Sequence, residues 1–163
     1  MTPRMKGTDW REKGPAWDEA RAAVLELLHH RYVREKQHAM RCRQHAERVP
    51  HHPELGKELL AIAAEEDEHA ELLGDKIIDF GESLPEVIPV HFAQEENCWL
   101  YLRTDLEEEE RCAGEFLIDN LPALRAFPEI ADLFARLERD SEAHQLELRE
   151  MMARSDPQSV EPA

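Results

Sequence analysis

The stretch EEDEHAELLGDKI, residues 65–77, sets two polar side chains into an otherwise apolar helical stripe. Ala70, Leu73 and Ile77 recur at three- and four-residue steps, with Leu59 and Ala63 before them and Phe80 after. That spacing is the period of an amphipathic α-helix. Glu66 and His69 fall inside the same stripe, and their three-residue step puts both on one helix face. A carboxylate buried without a partner costs several kcal/mol, so a glutamate on a core face implies something positive beside it.

Working outward, three further segments carry the same period. The breaks between them are marked by Pro50 and Pro53, by Gly81, Pro85 and Pro89, and by Leu121-Pro122 through Phe127-Pro128. Helices are therefore predicted over about 16–48, 54–80, 92–119 and 129–153. Val24, Leu28, Ala39, Cys42 and Ala46 form the stripe of the first, and Trp99, Leu106, Ala113 and Leu117 that of the third. Ile130, Phe134, Leu137, Leu148 and Met151 form that of the fourth, with Pro128 suited to its first turn. Four amphipathic helices of similar length bury their apolar faces against one another, so the expected fold is an all-α four-helix bundle.

Composition agrees. The 163 residues suit one domain, with 42% apolar and 34% charged residues and only 6 Gly. Residues 1–15 and 154–163 lack periodicity and are expected as a flexible arm and tail around a bundle at 16–153. The formal net charge of -16 disfavours nucleic acid and anionic membranes and favours cations. No run of 18 apolar residues suggests a span, and the N-terminus has no apolar stretch of a signal peptide. Cys42, Cys98 and Cys112 form no Cys-x-x-Cys pair and read as reduced thiols, which points to the cytoplasm.

The other stripes are interrupted in the same way as the second. Glu35 lies between Leu28 and Ala39, Glu110 between Leu106 and Ala113, and Ser141 and His144 between Leu137 and Leu148. From Glu35 it is 31 residues to Glu66 and 34 to His69; from Glu110 it is 31 to Ser141 and 34 to His144. Both halves thus carry one helix–loop–helix spacing, offset by 75, as two hairpins related by a pseudo-repeat would. Several carboxylates converging on one core level are most simply explained by a metal ion. Glu107 to Glu110 is a run of four acids, so a register error of one still lands on Glu. His29, His30, His38, His45, His51 and His52 are concentrated in the first third. His38 and His45 alternate with Arg31, Arg34 and Arg41 on what reads as a charged surface flank, and Tyr32 reads as core.

With these residues in place, the chain resembles the rubrerythrin branch of the ferritin-like di-iron carboxylate proteins over about 24–152. EEDEHAELLGDKI (65–77) is similar to the family's second-helix ligand motif. FPEIADLFARLERDSEAH (127–144) is similar to the start of the fourth, and EKQHAMRCRQHAE (35–47) to the first. The resemblance implies a ferritin-like bundle with metal ligands at Glu35, Glu66, His69, Glu107 or Glu110, and His144. Glu66 would bridge, Glu35 and Glu110 would be terminal, and each histidine would serve one ion. Ser141 departs from the pattern, since it stands where a second bridging carboxylate belongs; Asp140 or Glu142 could substitute, and one ion is the alternative to two. Iron is the implied metal, with manganese also suited to this donor set. The implied reaction is peroxide reduction or Fe(II) oxidation in a homo-oligomer, and without a rubredoxin domain the electrons would come from a separate donor. Iron storage, or a degenerate bundle acting as a binding module, are the alternatives.

Overall fold

The computed structural model describes residues 14–116 and 121–159; the expected arm lies largely, and the end of the tail wholly, outside the described residues. Among the described residues five helices follow in order: α1 (Pro15–Glu47), α2 (Pro53–Asp79), α3 (Cys98–Phe116), the short α4 (Leu121–Leu124) and α5 (Pro128–Ala153). Among the described residues there is no strand. Pro15, Pro53 and Pro128 each open a helix, where the missing N–H costs nothing and φ is already helical.

The end of α2 is cut sharply. Gly81 takes φ 81, its N–H donates to the Ile78 carbonyl (2.8 Å), and the Glu82 N–H donates to Ile77 (3.2 Å). This closing pair of bonds needs a left-handed residue, which glycine adopts without strain. An extended crossover then returns alongside α1. Arg21 donates to the Phe80 carbonyl near the start of α1, and Gln44 and Arg48 donate to Val90, Phe92 and Ala93 near its end. The lengths match: the 27 residues from Arg21 to Arg48 rise ~40 Å as helix, and the 12 residues from Phe80 to Phe92 reach ~40 Å when extended.

The third helix was expected from residue 92 but begins at Cys98. The crossover consumes 92–96, and Asn97 caps α3 by accepting from the Leu100 N–H at 3.0 Å. The other side of Asn97 holds the chain end, donating to the carbonyls of Pro157 and Ser159. The expected break at 121–127 contains the single turn of α4.

Because the crossover spans the bundle, α3 starts beside the end of α1 and runs antiparallel to it, and α5 antiparallel to α3. Consequently α1 and α5 share a direction, opposed to α2 and α3. The core falls into two apolar clusters. One gathers Val24, Leu28, Tyr32, Leu73, Ile77, Phe134 and Leu137; the other gathers Ala39, Cys42, Leu59, Ile62, Leu102, Leu148 and Met151. Between them lies a layer of buried polar side chains.

Candidate metal centre

Each long helix contributes a pair of residues three apart to that layer: Glu35 and His38 from α1, Glu66 and His69 from α2, Glu109 and Cys112 from α3, Ser141 and His144 from α5. All eight are buried. The helical period is the cause, since a three-residue step keeps both side chains on the inward face.

Among the described residues two groups of ligand-type atoms result, and they share Glu66. In the first, Glu35, Glu66 and His69 offer atoms within 4.8 Å of one another. His69 Nδ1 lies 3.5 Å from Glu35 Oε2 and 3.5 Å from Glu66 Oε2, and its Nε2 lies 3.1 Å from Asp140 Oδ2. In the second, His38, Glu66 and Glu109 meet the same criterion. His144 joins from α5, its Nδ1 3.1 Å from Glu66 Oε1, while its Nε2 faces Glu65 at the rim (3.0 Å).

Supporting contacts orient these groups. Ser141 donates to Glu109 Oε2 at 2.6 Å. Arg31, itself buried, donates to Glu35 Oε1 and, at 2.8 Å, to Glu138. Glu35 therefore offers Oε2 to the layer while Oε1 is engaged.

Three buried carboxylates at one level repel, and their protonation reflects it. Burial pushes the Glu66 carboxyl well above the usual range, and the charges of Glu35 and Glu109 push the same way. Burial would also raise Glu35, but hydrogen bonding with Glu66 and the Arg31 charge outweigh it and hold Glu35 well below the usual range. Glu109, likewise opposed by burial, is held at about 2, chiefly by hydrogen bonding to His38 and the charge of that ring. His38 is raised to about 9: burial works against it, and its hydrogen bonds to Cys112 and Glu109 prevail. Both directions relieve the carboxylate excess, by favouring the neutral form of Glu66 and the charged form of His38. A divalent cation held by the same oxygens would relieve it as well, so the donor set fits a metal.

The expected site residues divide cleanly. Glu35, Glu66, His69 and His144 are brought together. Glu107 and Glu110 are not: their side chains are 65% and 46% exposed, directed to Arg103 and Arg149. Glu109 takes the inward place. The third stripe had been phased on Trp99, Leu106 and Ala113, whereas the inward row is Cys98, Leu102, Asp105, Glu109 and Cys112. An aspartate inside that row disguised it. The offset of 75 therefore relates α2 to α5 but not Glu35 to Glu109. Asp140 approaches His69 rather than replacing Ser141.

The charged flank on α1 is a second correction. His38, His45, Arg31 and Arg41 are buried. Arg41 Nε donates to Asp105 Oδ1 (2.6 Å), and His45 Nδ1 meets Asp105 Oδ2 (2.9 Å). Arg31 has one acid nearby, Glu35 four residues on, and a second, Glu138, on α5. The acids beside Arg41, His45 and His38 come from α2 and α3, far off in sequence, so the local pattern on α1 contains no sign of them. One signal was present for His38, the Glu-x-x-His step it makes with Glu35.

No protein-family profile matches the sequence, and no curated protein sequence matches it. Among solved structures, the chain is similar to the bacterioferritin of Desulfovibrio desulfuricans, whose diiron site was described in different catalytic states, reduced in solution and reoxidised. The superposition covers 92% of this chain and 97% of the bacterioferritin chain, with a TM-score of 0.70 and 18% identity. Among the described residues, no helix is long and apolar enough to cross a membrane. The chain has the fold of a ferritin-like helical bundle.

Proposed function

We propose that this protein binds two iron ions in the polar layer, one between Glu35, Glu66 and His69 and one between Glu66, Glu109 and His144, and uses them to oxidise Fe(II) with oxygen or peroxide. The observation that carries the reading is the position of Glu66: buried, common to both groups of candidate ligands and flanked by two further buried carboxylates. Bound iron would supply one electron per ion to the oxidant. The protein's part is to hold the carboxylates in place, to keep bulk water out with the apolar clusters above and below, and to fix one oxygen of Glu35 on Arg31 and one of Glu109 on Ser141. The likeness to rubrerythrins supports peroxide as oxidant, with a separate protein as electron donor where turnover is reductive. Manganese fits the same oxygens, though the two imidazoles favour iron.

Anaerobic Fe(II) titration of the metal-free protein, followed by admission of oxygen or peroxide, tests this reading. Uptake of two ions per chain, with loss of Fe(II) faster than in buffer, is expected. Uptake of less than one ion would refute it and leave the bundle as a structural or binding module.

The bacterioferritin likeness favours a second reading, in which oxidation is the entry step to iron storage. Light scattering on the eluting protein separates the two, since storage requires a large closed assembly and an oxidase does not.

A further inference from the structure

We infer that His38 is an additional ligand of the position formed by Glu66, Glu109 and His144, so that the centre has one nitrogen-rich position, filled first, and one carboxylate-rich position, filled second. The inference rests on the metal-binding reading above and assigns its order.

The placement follows from helix direction. α1 and α5 run the same way, so the three-residue steps from Glu35 to His38 and from Ser141 to His144 carry both rings toward the same side of the carboxylates. α2 runs the opposite way, and its His69 falls on the other side, against Glu35 and Asp140. The distances bear this out. His38 Nδ1 lies 3.3 Å from Glu109 Oε1 and 3.9 Å from Glu66 Oε1. His144 Nδ1 lies 3.9 Å and 3.1 Å from the same two oxygens. Ligands bound to one ion at ~2.0–2.2 Å sit roughly 3 Å apart, so small closures complete the set.

Ser141 explains why a fourth donor is needed. A carboxylate there would complete a second pair of anions; the serine hydroxyl instead donates to Glu109 Oε2. His38 restores the donor number without restoring the charge. Two carboxylates and two imidazoles balance one divalent ion. A second ion must then share Glu66 and use Glu35, one of whose oxygens Arg31 already holds. Buried charge without compensation is costly, so the second ion binds more weakly. Imidazole-rich sets suit zinc, copper and iron.

The test titrates the metal-free chain with zinc by calorimetry and records zinc-edge X-ray absorption after one equivalent, with loosely held ions removed by desalting. Two resolved steps and two imidazoles on the first zinc are expected. His38→Ala should weaken the first step on the order of a hundredfold, whereas His69→Ala should spare it and abolish the second. A single imidazole on the first zinc overturns the inference, as does a His38→Ala titration identical to the parent's. In both cases a parent that still takes up two ions leaves the general metal-binding reading standing. A parent that binds no zinc and no Fe(II) overturns both. The absorption measurement uses the unaltered chain, so it decides even where His38→Ala fails to fold.

Discussion

At the scale of single residues, neighbouring glutamates of identical chemistry have opposite roles. Glu109 is buried against His38, Ser141 and Glu66, while Glu110 lies at the surface beside Arg149. One residue along a helix is about 100° of rotation, enough to exchange core for solvent. Glu109→Gln should lower zinc or Fe(II) affinity on the order of a hundredfold, and Glu110→Gln should leave it unchanged; calorimetric titration of the two variants checks this. Glu35, Glu66, His69 and His144 were legible in the sequence because each interrupts an apolar stripe whose phase is unambiguous. Glu109 was not, because Asp105 occupies the buried position one turn earlier and makes the true stripe look polar.

Between elements, charge contacts that join helices differ in worth, as two of them show. Arg41, His45 and Asp105 tie α1 to α3 inside the core, beneath Phe92 and Tyr101. Removing the shared acid leaves the buried Arg41 guanidinium with only a 3.7 Å contact to the half-buried Glu108. Asp105→Ala should therefore cost about 3–5 kcal/mol of stability, read as a lower denaturant midpoint at constant slope. Arg154 and Glu58 tie the end of α5 to α2 through a pair at 2.9 and 2.5 Å, with side chains 50% and 38% exposed. Exposure reduces this contact to a few tenths of a kcal/mol, up to about 1. The hydrogen bond to Arg154 lowers the Glu58 carboxyl in the folded state, so its contribution is complete above the unfolded value of about 4.3 and disappears as pH falls through the folded value. Arg154→Ala should thus destabilise the protein slightly at pH 7 and not at pH 2, as thermal melts at the two pH values will show. The cap at Asn97 sets the start of α3 at Cys98. The expected start at about 92 followed from the break ending at Pro89, whereas the crossover keeps the chain extended beyond that proline.

Over the whole molecule, the polar layer is a fault line between two apolar clusters. Three buried carboxylates at one level are an arrangement that metal binding relieves. Divalent iron or zinc at about a hundredfold excess over its dissociation constant should add about 2.7 kcal/mol. For a chain of this size that is a rise in Tm of about 5–10 °C. A chelator should reverse it, and calorimetric melts with and without metal measure both. A melting point indifferent to metal would argue against binding in the core.

By itself the sequence determined the helical class, the four long segments and the presence of acids and histidines on their inward faces. It could do so because the 3.6-residue period is local, and water sorts apolar from polar side chains within each helix independently of the others. The tertiary structure alone decided which acid of 107–110 turns inward. It also decided that His38, His45, Arg31 and Arg41 are interior, and that Ser141 serves Glu109 rather than a metal position. Those outcomes rest on partners far along the chain, Arg41 on Asp105 at a separation of 64 residues and His144 on Glu66 at 78. Whether a charged side chain can be buried is a property of its neighbours' charges; Arg31 has Glu35 within one helical turn, but no window of sequence around Arg41 or His45 contains Asp105.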